Sequence, residues 1–115
     1  IRELFAVGGV IACPGSDATF AEEIKALETE IDAIGQSLPP LKCFILPIGS
    51  PASCQCQVCR TVCRRVERHV VTFLREESID SDANGALKYL NRLSDLLFAL
   101  SRRLNADAGI ADTKL

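Results

Sequence analysis

Residues 39–75 read PPLKCFILPIGSPASCQCQVCRTVCRRVERHVVTFLR, a proline-bracketed apolar turn that leads into a helix. Arg60, Arg64 and Arg68 recur at i, i+4 and i+8, so their guanidinium groups leave one face of this helix about a turn apart. Permanent positive charges held in one stripe are unfavourable unless anionic groups lie opposite them. The candidates are carboxylates of a neighbouring helix and the phosphates of a nucleotide.

Length and charge limit what the chain can do. Its 115 residues are enough for one domain with its own core. The 13 basic and 15 acidic residues give a net charge of −2, so no overall field favours nucleic acid or an anionic membrane. We see no apolar run near the ~20 residues of a membrane span and no signal peptide, and expect a cytoplasmic location. The chain begins at Ile1, inside what reads as an amphipathic helix, which favours a piece of a longer protein.

The apolar pattern predicts an all-α fold. A first helix is expected to end near Gly8–Pro14, and Thr19 with Glu22 three residues later predicts a capping box for the second helix. This second helix should end before Pro39–Pro40. Its apolar residues are spaced by four and three, as on one face of a helix. They are Phe20, Ile24, Leu27, Ile31, Ile34 and Leu38.

Long helices with short connections are predicted for the rest of the chain, which is typical of an antiparallel helical bundle. We assign residues 1–105 to this bundle and 106–115 to a C-terminal tail, since the chain beyond Asn105 reads as a loop or a frayed end. The prolines and the glycine around Cys43–Leu46 indicate a rigid loop. The other predicted elements are a helix from about Ser53 to Glu77, a polar turn over Ser78–Gly85 and a helix from about Ala86 to Leu104.

Four of the six cysteines lie close together, which raises the question of a metal site. Their spacing, C-x-C-x2-C-x3-C, matches no standard zinc or iron–sulfur pattern. On one helix Cys56, Cys59 and Cys63 share a face while Cys54 points elsewhere, so the thiolates cannot converge on one ion. We therefore interpret the cysteines as small core residues in a reducing cytosol and assign no residue to a metal.

Several features allow both a structural and a functional interpretation. The arginine stripe is either a solvated face paired with Glu67 and the next helix, or an anion site. Asn91 and Asp95, one turn apart in an apolar helix, need polar partners from the arginine helix or from a ligand. Phe44 is either a core plug or a cofactor contact. The lone His69 fits a surface position better than a catalytic or metal-binding one.

Four segments occur in a specific order: IRELFAVGGVIACPG at 1–15, LPPLKCFILPIGSP at 38–51, CRTVCRRVERHVV at 59–71 and YLNRLSDLLFALSR at 89–102. In order and spacing they resemble the PduO-type ATP:cob(I)alamin adenosyltransferases. The resemblance extends from Ile1 to about Asn105. Several ordered motifs of this length are far more specific than a single short pattern.

The resemblance implies a five-helix bundle that assembles as a homotrimer, with active sites between subunits. It implies transfer of the 5′-deoxyadenosyl group of ATP to the cobalt of cob(I)alamin, which gives adenosylcobalamin and triphosphate. Magnesium, and potassium in many members, assist at the phosphates. The partners implied are a corrinoid reductase and an adenosylcobalamin-dependent acceptor enzyme, with no nucleic acid and no membrane.

The resemblance also assigns roles to residues. Arg64 contacts ATP and takes part in catalysis, and Asn91 holds the nucleotide from the fourth helix. Phe44 lies against the corrin, where it helps displace the lower axial ligand of cobalt and so eases reduction of cob(II)alamin. Arg60 forms an inter-subunit ion pair with an acidic residue outside this sequence. The supporting network consists of Arg65, Glu67, Arg68, Arg92 and Asp95.

The sequence departs from the family pattern in places. The family's N-terminal phosphate loop, a Thr-x-x-Gly-Asp-x-Gly-x-Thr-like stretch, is not among these residues, and without it we expect weak ATP binding. Ile48 replaces the usual second glycine after Leu-Pro, Gln57 a common histidine, and His69 a common arginine. Two alternatives stay open: a bundle that binds corrinoid without turnover, and a purely structural bundle.

Overall fold

The computed structural model describes residues 1–12, 19–77 and 85–115, which form four α-helices. Those three ranges contain no strand, apart from one isolated bridge between Ile45 and Lys114. The predicted all-α class is therefore confirmed. The helices are α1 (Arg2–Ala12), α2 (Ala21–Gln36), α3 (Pro51–Glu76) and α4 (Ala86–Asp107).

The other helices pack against α4. Its most extensive contacts are with α3, followed by α2, while α1 touches it over a shorter stretch. Near the start of α3, Ser53 donates a hydrogen bond to the carbonyl of Ser101 (Oγ–O 2.8 Å), late in α4. Further along α3, Cys63 donates to the carbonyl of Leu90 (Sγ–O 3.2 Å), so the two helices run antiparallel. The core between the helices consists of Val7, Val10, Phe20, Ile24, Cys63, Val70, Ala86, Tyr89 and Leu90.

The start of α2 differs from the predicted capping box. Phe20 rather than Thr19 occupies the N-cap position, and no side chain there accepts a hydrogen bond from the first turn. Phe20 is only 3% exposed and its ring lies 5.8 Å from that of Tyr89. The capping-box prediction is wrong because burial of this aromatic ring, rather than an exposed cap, determines where the helix begins.

The predicted apolar stripe of α2 does face the protein. Its first two members, Phe20 and Ile24, are buried against α4. The remaining four are only half-buried, so the contact with the rest of the described chain weakens toward the C-terminal end of α2. They are Leu27, Ile31, Ile34 and Leu38.

α3 begins at Pro51, earlier than the predicted Ser53. The Oγ of Ser50 accepts a hydrogen bond from the backbone N–H of Ser53 (N–O 3.2 Å), which makes Ser50 the N-cap. Pro51 takes the first helical turn, where its missing N–H leaves no hydrogen bond unmade. The sequence pattern places Pro51 in the loop, but a proline directly after a serine is also a helix-start signal.

The ends of α1 and α4 lie at or near their predicted positions. α1 ends at Ala12, inside the predicted interval, while Pro14 lies outside the described residues. The predicted polar turn also lies outside them, except for Gly85. α4 continues to Asp107, past the predicted Leu104, so the predicted boundary after residue 105 falls inside a helix. No described helix is both long and apolar enough to cross a bilayer.

The chain after α4 is a docked loop rather than a frayed tail. Gly109, at φ 74°, lets the chain reverse direction and return to the loop that follows α2. The N–H of Leu46 donates to the carbonyl of Thr113 (2.7 Å), and the N–H of Leu115 donates to the carbonyl of Phe44 (3.0 Å). The sequence leaves open whether this segment is a loop or a frayed end, and the structure shows a loop.

Asn105, near the end of α4, holds the turn that precedes α3. Its Oδ1 accepts a hydrogen bond from the backbone N–H of Ser50 (2.9 Å), and its Nδ2 donates to the carbonyl of Ile48 (3.0 Å). Gly49 lies between these two residues at φ 142°, and a Cβ there would collide with the Asn105 side chain. The turn therefore requires glycine both for its backbone conformation and for space.

We predict that Gly49→Ala lowers the free energy of unfolding by at least about 1–3 kcal/mol, because a side chain is strained at this φ and also meets Asn105. Urea denaturation of the intact protein measures the effect. The matched control is Gly35→Ala in α2, where a Cβ meets no atom within 4 Å. Since alanine is the better helix former, the control should gain up to about 1 kcal/mol. Equal stability of the two variants would contradict this account of the turn.

Candidate functional site

A cavity of about 520 Å³ lies between the loop after α2 and the facing sides of α3 and α4. Its wall is mostly apolar, with one charged side chain from each helix: Arg60 from α3 and Asp95 from α4. An apolar surface with few charged groups suits a large ligand that has an apolar body and polar edges. The lining residues are Leu41, Cys43, Phe44, Ile45, Pro47, Gln57, Arg60, Asp95 and Phe98.

Phe44 projects outward at the edge of this cavity. Its side chain is 82% exposed, so the core-plug interpretation is wrong. The reason lies in the backbone, since the carbonyl of Phe44 accepts a hydrogen bond from Leu115 and the next residue, Ile45, pairs with Lys114. Ile45 is half-buried while Phe44 is left exposed, and the ring borders the open cavity.

The arginines of the predicted stripe have different environments. Arg60 is half-buried, and its guanidinium carbon lies 5.4 Å from the ring centroid of Phe98, a cation–π contact. Arg64 and Arg68 are exposed, as is Arg65. Because an α-helix advances about 100° per residue, each step of four turns the side chain by roughly 40° away from α4. The stripe therefore leaves the contact with α4 within two turns.

A polar network joins α3, α4 and α2 beside the cavity. Asn91 donates to Glu67 (Nδ2–Oε2 3.2 Å) and accepts from Arg92 (Nη1–Oδ1 2.6 Å). Arg92 also pairs with Glu28 of α2 (Nε–Oε1 3.5 Å) and with Asp95 (Nη1–Oδ2 3.9 Å). Asp95 belongs to the cavity wall as well, so the network and the cavity are contiguous.

Glu67 does not pair with the arginine stripe. Within the three described ranges, no ion pair forms between Glu67 and Arg60, Arg64 or Arg68, so that part of the solvated-face interpretation is wrong. Glu67 comes two turns after Arg60 and so faces α4, where Asn91 binds one of its oxygens. The other oxygen, Oε1, is buried and has no partner among the described residues. A buried carboxylate oxygen of this kind can accept a hydrogen bond from a further group.

Asn91 keeps hydrogen-bonding capacity for a ligand. Its amide nitrogen carries two N–H groups and its oxygen two lone pairs, and the contacts with Glu67 and Arg92 use one of each. Those two contacts also fix which end of the amide faces which neighbour. The structure thus brings together four residues that the sequence predicts as site residues: Glu67, Asn91, Arg92 and Asp95.

The cysteines have mixed environments, which corrects the expectation that they are core residues. Of those described, only Cys63 is buried, while Cys43 and Cys59 are exposed. Burial raises the pKa of the Cys63 thiol, the charge of Glu67 raises it further, and Arg64 lowers it. The protonated thiol is the form that donates to the carbonyl of Leu90. In the part of the chain that the structure describes, no set of three or more His, Cys, Asp or Glu residues could hold a metal ion.

Two residues that the sequence does not indicate as site residues, Gln57 and Phe98, also line the cavity. Gln57 is buried in the cavity wall, where its Nε2 donates to Ser101 (Nε2–Oγ 2.9 Å) and its Oε1 has no partner among the described residues. The ring of Phe98 contacts the guanidinium of Arg60. The one sequence feature that could have indicated Phe98 as a site residue is its position about one turn after Asp95. His69 is exposed, as predicted, in an open depression of α3 apart from this site.

The sequence is similar to proteins described as cobalamin or corrinoid adenosyltransferases. The sequence profile of the family described as cobalamin adenosyltransferase matches residues 1–104. The corrinoid adenosyltransferase of Bacillus subtilis (strain 168) is 44% identical over an alignment of 116 positions, which covers 98% of this chain and 58% of that protein. The corrinoid adenosyltransferase MMAB of Homo sapiens is 47% identical over an alignment of 105 positions, which covers 84% of this chain and 41% of that protein. The chain thus spans about half the length of these relatives.

Solved structures give the same family. One is a phenylalanine-to-alanine variant of the PduO-type ATP:corrinoid adenosyltransferase from Lactobacillus reuteri, complexed with cobalamin and ATP; it matches with a TM-score of 0.86 and 31% identity, over 99% of this chain and 65% of that chain. An arginine-to-lysine variant of the same enzyme, complexed with ATP, matches with a TM-score of 0.87 and 35% identity over the same shares. This chain therefore belongs to the cobalamin adenosyltransferase family and is of the PduO type.

Proposed function

We propose that the protein containing this chain transfers the 5′-deoxyadenosyl group of ATP to the cobalt of cob(I)alamin. The observation that carries this proposal is the cavity beside Phe44, which shares Asp95 with the polar network around Asn91. A corrin in the cavity and a nucleotide at the network would meet along the contact between α3 and α4. The Lactobacillus reuteri relative binds cobalamin and ATP, the two substrates that this reaction requires.

The chemistry explains why fixed cations are needed. The cobalt of cob(I)alamin attacks C5′ of ATP, a cobalt–carbon bond forms, and the C5′–oxygen bond breaks. The oxygen leaves with the bonding electron pair as triphosphate, while the metal passes formally from cobalt(I) to cobalt(III). Negative charge grows on the leaving triphosphate, so a cation already in position lowers the barrier. We assign Arg64 to ATP and to this catalytic role, because it is exposed beside the network and has no ion-pair partner in the described chain.

The residues around Arg64 would bind and orient the nucleotide. We assign Asn91 to ATP through its remaining N–H and lone pair, with Glu67, Arg92 and Asp95 holding its amide in one orientation. The supporting positive charges would be Arg65 and Arg68, both of which are exposed on α3.

Phe44 is the residue that we assign to the corrin and to reduction of its cobalt. An apolar ring against the lower face of the corrin keeps water and the axial base away from the metal. Cob(II)alamin that lacks this lower ligand is easier to reduce to the cob(I) nucleophile. The role requires an exposed ring on a fixed backbone, and Phe44 has both, with 82% exposure and main-chain hydrogen bonds to the segment after α4.

We further propose a homotrimer of five-helix bundles in which Arg60 forms an ion pair with an acidic residue outside this chain. In support, Val58, Val62 and Val66 recur every four residues on α3 and remain exposed, as expected for a face that packs against another protein surface. The expected location is the cytoplasm, with a corrinoid reductase that supplies cob(I)alamin and an acceptor enzyme that uses the product. Magnesium and potassium would assist at the phosphates of ATP; among the described residues, no group of three or more His, Cys, Asp or Glu side chains could hold a metal ion.

The proposal is tested with the intact protein, ATP and cob(I)alamin under anaerobic conditions, by following the absorbance change of the cobalt centre and the release of triphosphate. We expect adenosylcobalamin and triphosphate in equal amounts. Binding of cobalamin without turnover would instead support the corrinoid-binding alternative. If neither cobalamin nor ATP binds, the structural alternative is correct.

Arg64→Ala should lower kcat by roughly 10²–10³-fold, because one fixed cation is lost where negative charge develops. The change should affect kcat more than the binding of cobalamin, which lies in the neighbouring cavity. Arg75→Ala is the matched control, since Arg75 is an exposed arginine in the last turn of the same helix. Unchanged kcat in Arg64→Ala would refute the catalytic assignment.

Phe44→Ala should reduce activity by a larger factor with cob(II)alamin plus reductant than with preformed cob(I)alamin, because the ring serves the reduction step. The ratio of the two activities, measured on one preparation, is independent of the amount of folded protein. Phe5→Ala, which removes a similarly exposed ring from α1, should leave the ratio unchanged. An equal loss with both forms of cobalamin would argue against the assigned role.

A further inference from the structure

The exposed ring of Phe44 is held by its backbone rather than by packing of its own side chain. With 82% of the side chain exposed, few contacts restrict where the ring can lie. Among the described residues, two main-chain hydrogen bonds restrain this part of the loop: Leu46 N–H to the carbonyl of Thr113 (2.7 Å) and Leu115 N–H to the carbonyl of Phe44 (3.0 Å). Both come from the segment that follows α4.

That segment is itself anchored by a partly buried ion pair. Arg102 of α4 is only 8% exposed, and it forms a two-point contact with the carboxylate of Asp112, through Nη2 to Oδ2 (2.7 Å) and Nε to Oδ2 (3.1 Å). The same Nη2 donates to the carbonyl of Pro39 at the start of the loop (2.7 Å). Arg102 therefore links α4 to Pro39, near the start of the loop, and to the segment that pairs with the middle of the loop.

The loop is thus restrained at its start, its end and its middle, in each case by the C-terminal part of the chain. Arg102 holds its start at Pro39, Asn105 holds its end at Ile48 and Ser50, and the segment after α4 holds its middle. The first two restraints come from side chains of a helix. The third depends on a short non-helical segment, so it is the one most readily lost by local opening.

We propose that residues 110–115 are a positioning element for Phe44, and that Asp112 is its anchor through Arg102. The inference rests on the proposed adenosyltransferase function and adds residues that act on its cobalt-reduction step without touching the substrate. Without the carboxylate, Arg102 is a buried cation that has lost its counterion, and the segment loses the ion pair that holds it against α4. The backbone of Phe44 and Leu46 then loses its partners, and the ring loses its fixed place at the cavity.

The test uses Asp112→Ala in the intact protein, with two readouts. Amide hydrogen exchange at Leu46 should become faster, because its N–H no longer has Thr113 as a stable partner. Activity with cob(II)alamin plus reductant should fall by about tenfold to a hundredfold, as for a misplaced catalytic group, while activity with preformed cob(I)alamin falls less.

Two further variants complete the design. Asp107→Ala breaks an exposed pair with Arg103 (3.1 Å) at the same end of α4 and should change neither readout. Asp112→Glu keeps the carboxylate and should retain most of the activity ratio. These controls separate loss of the anchor from loss of any acidic residue near the end of α4.

Each outcome decides the inference. Faster exchange at Leu46 together with a changed activity ratio supports it. If exchange at Leu46 is faster but the ratio of the two activities is unchanged, the segment docks without positioning Phe44. If exchange at Leu46 is unchanged, Asp112 is not the anchor. Either result overturns the inference. If the unmodified protein has no adenosyltransferase activity, the proposed function fails instead, and the exchange experiment still tests the anchor.

Discussion

The close contact between α3 and α4 is the interaction on which the site depends. Among the most completely buried side chains are Ser53 of α3 and Ser101 of α4, and their hydroxyls donate to the backbone carbonyls of Ser101 and Phe98. Small side chains allow two helices to approach closely, and because the hydroxyls are satisfied, their burial carries little penalty. The larger polar residues, Glu67 and Asn91, consequently meet across the helix pair at 3.2 Å.

Arginines at different positions along the contact between α3 and α4 have different environments and therefore different chemical properties. Arg60 lies where α3 still faces α4, and it is half-buried against Phe98 in the wall of an apolar cavity. One turn later the helix has rotated by about 40°, so Arg64 is exposed and remains available to a ligand. The helical repeat of 3.6 residues thus separates a cation that helps shape a cavity from one that can meet a phosphate.

The sequence predicts which segments are helical better than where the helices begin and end. It also predicts the motif residues better than the residues that pair with them. The sequence predicts each of the four described helices, and for α1, α2 and α4 the signal is apolar periodicity, because burial of one face is what stabilises a helix. The capping box at Thr19 fails because burial of Phe20 is a tertiary effect that local pattern does not contain. The network around Asn91 is predictable in part, since a polar pair in an apolar helix needs partners. Glu28 and Asp112 could not be predicted as partners, because exposed acidic residues are common and only the fold selects these two.

Two buried oxygen atoms of this helix pair can still accept hydrogen bonds from groups beyond the described residues. Gln57 Oε1 and Glu67 Oε1 are buried acceptors on α3 with no donor among the described residues, and each would be unfavourable by about 1–3 kcal/mol if it stayed so. They lie about three turns apart, on either side of the stretch that holds Arg60 and Arg64. Both also neighbour groups that we assign to ligands, Gln57 in the cavity wall and Glu67 beside Asn91. A self-sufficient structural bundle would gain stability from apolar residues at these positions, whereas a site that receives donors from substrates or from other protein segments has a use for both oxygens.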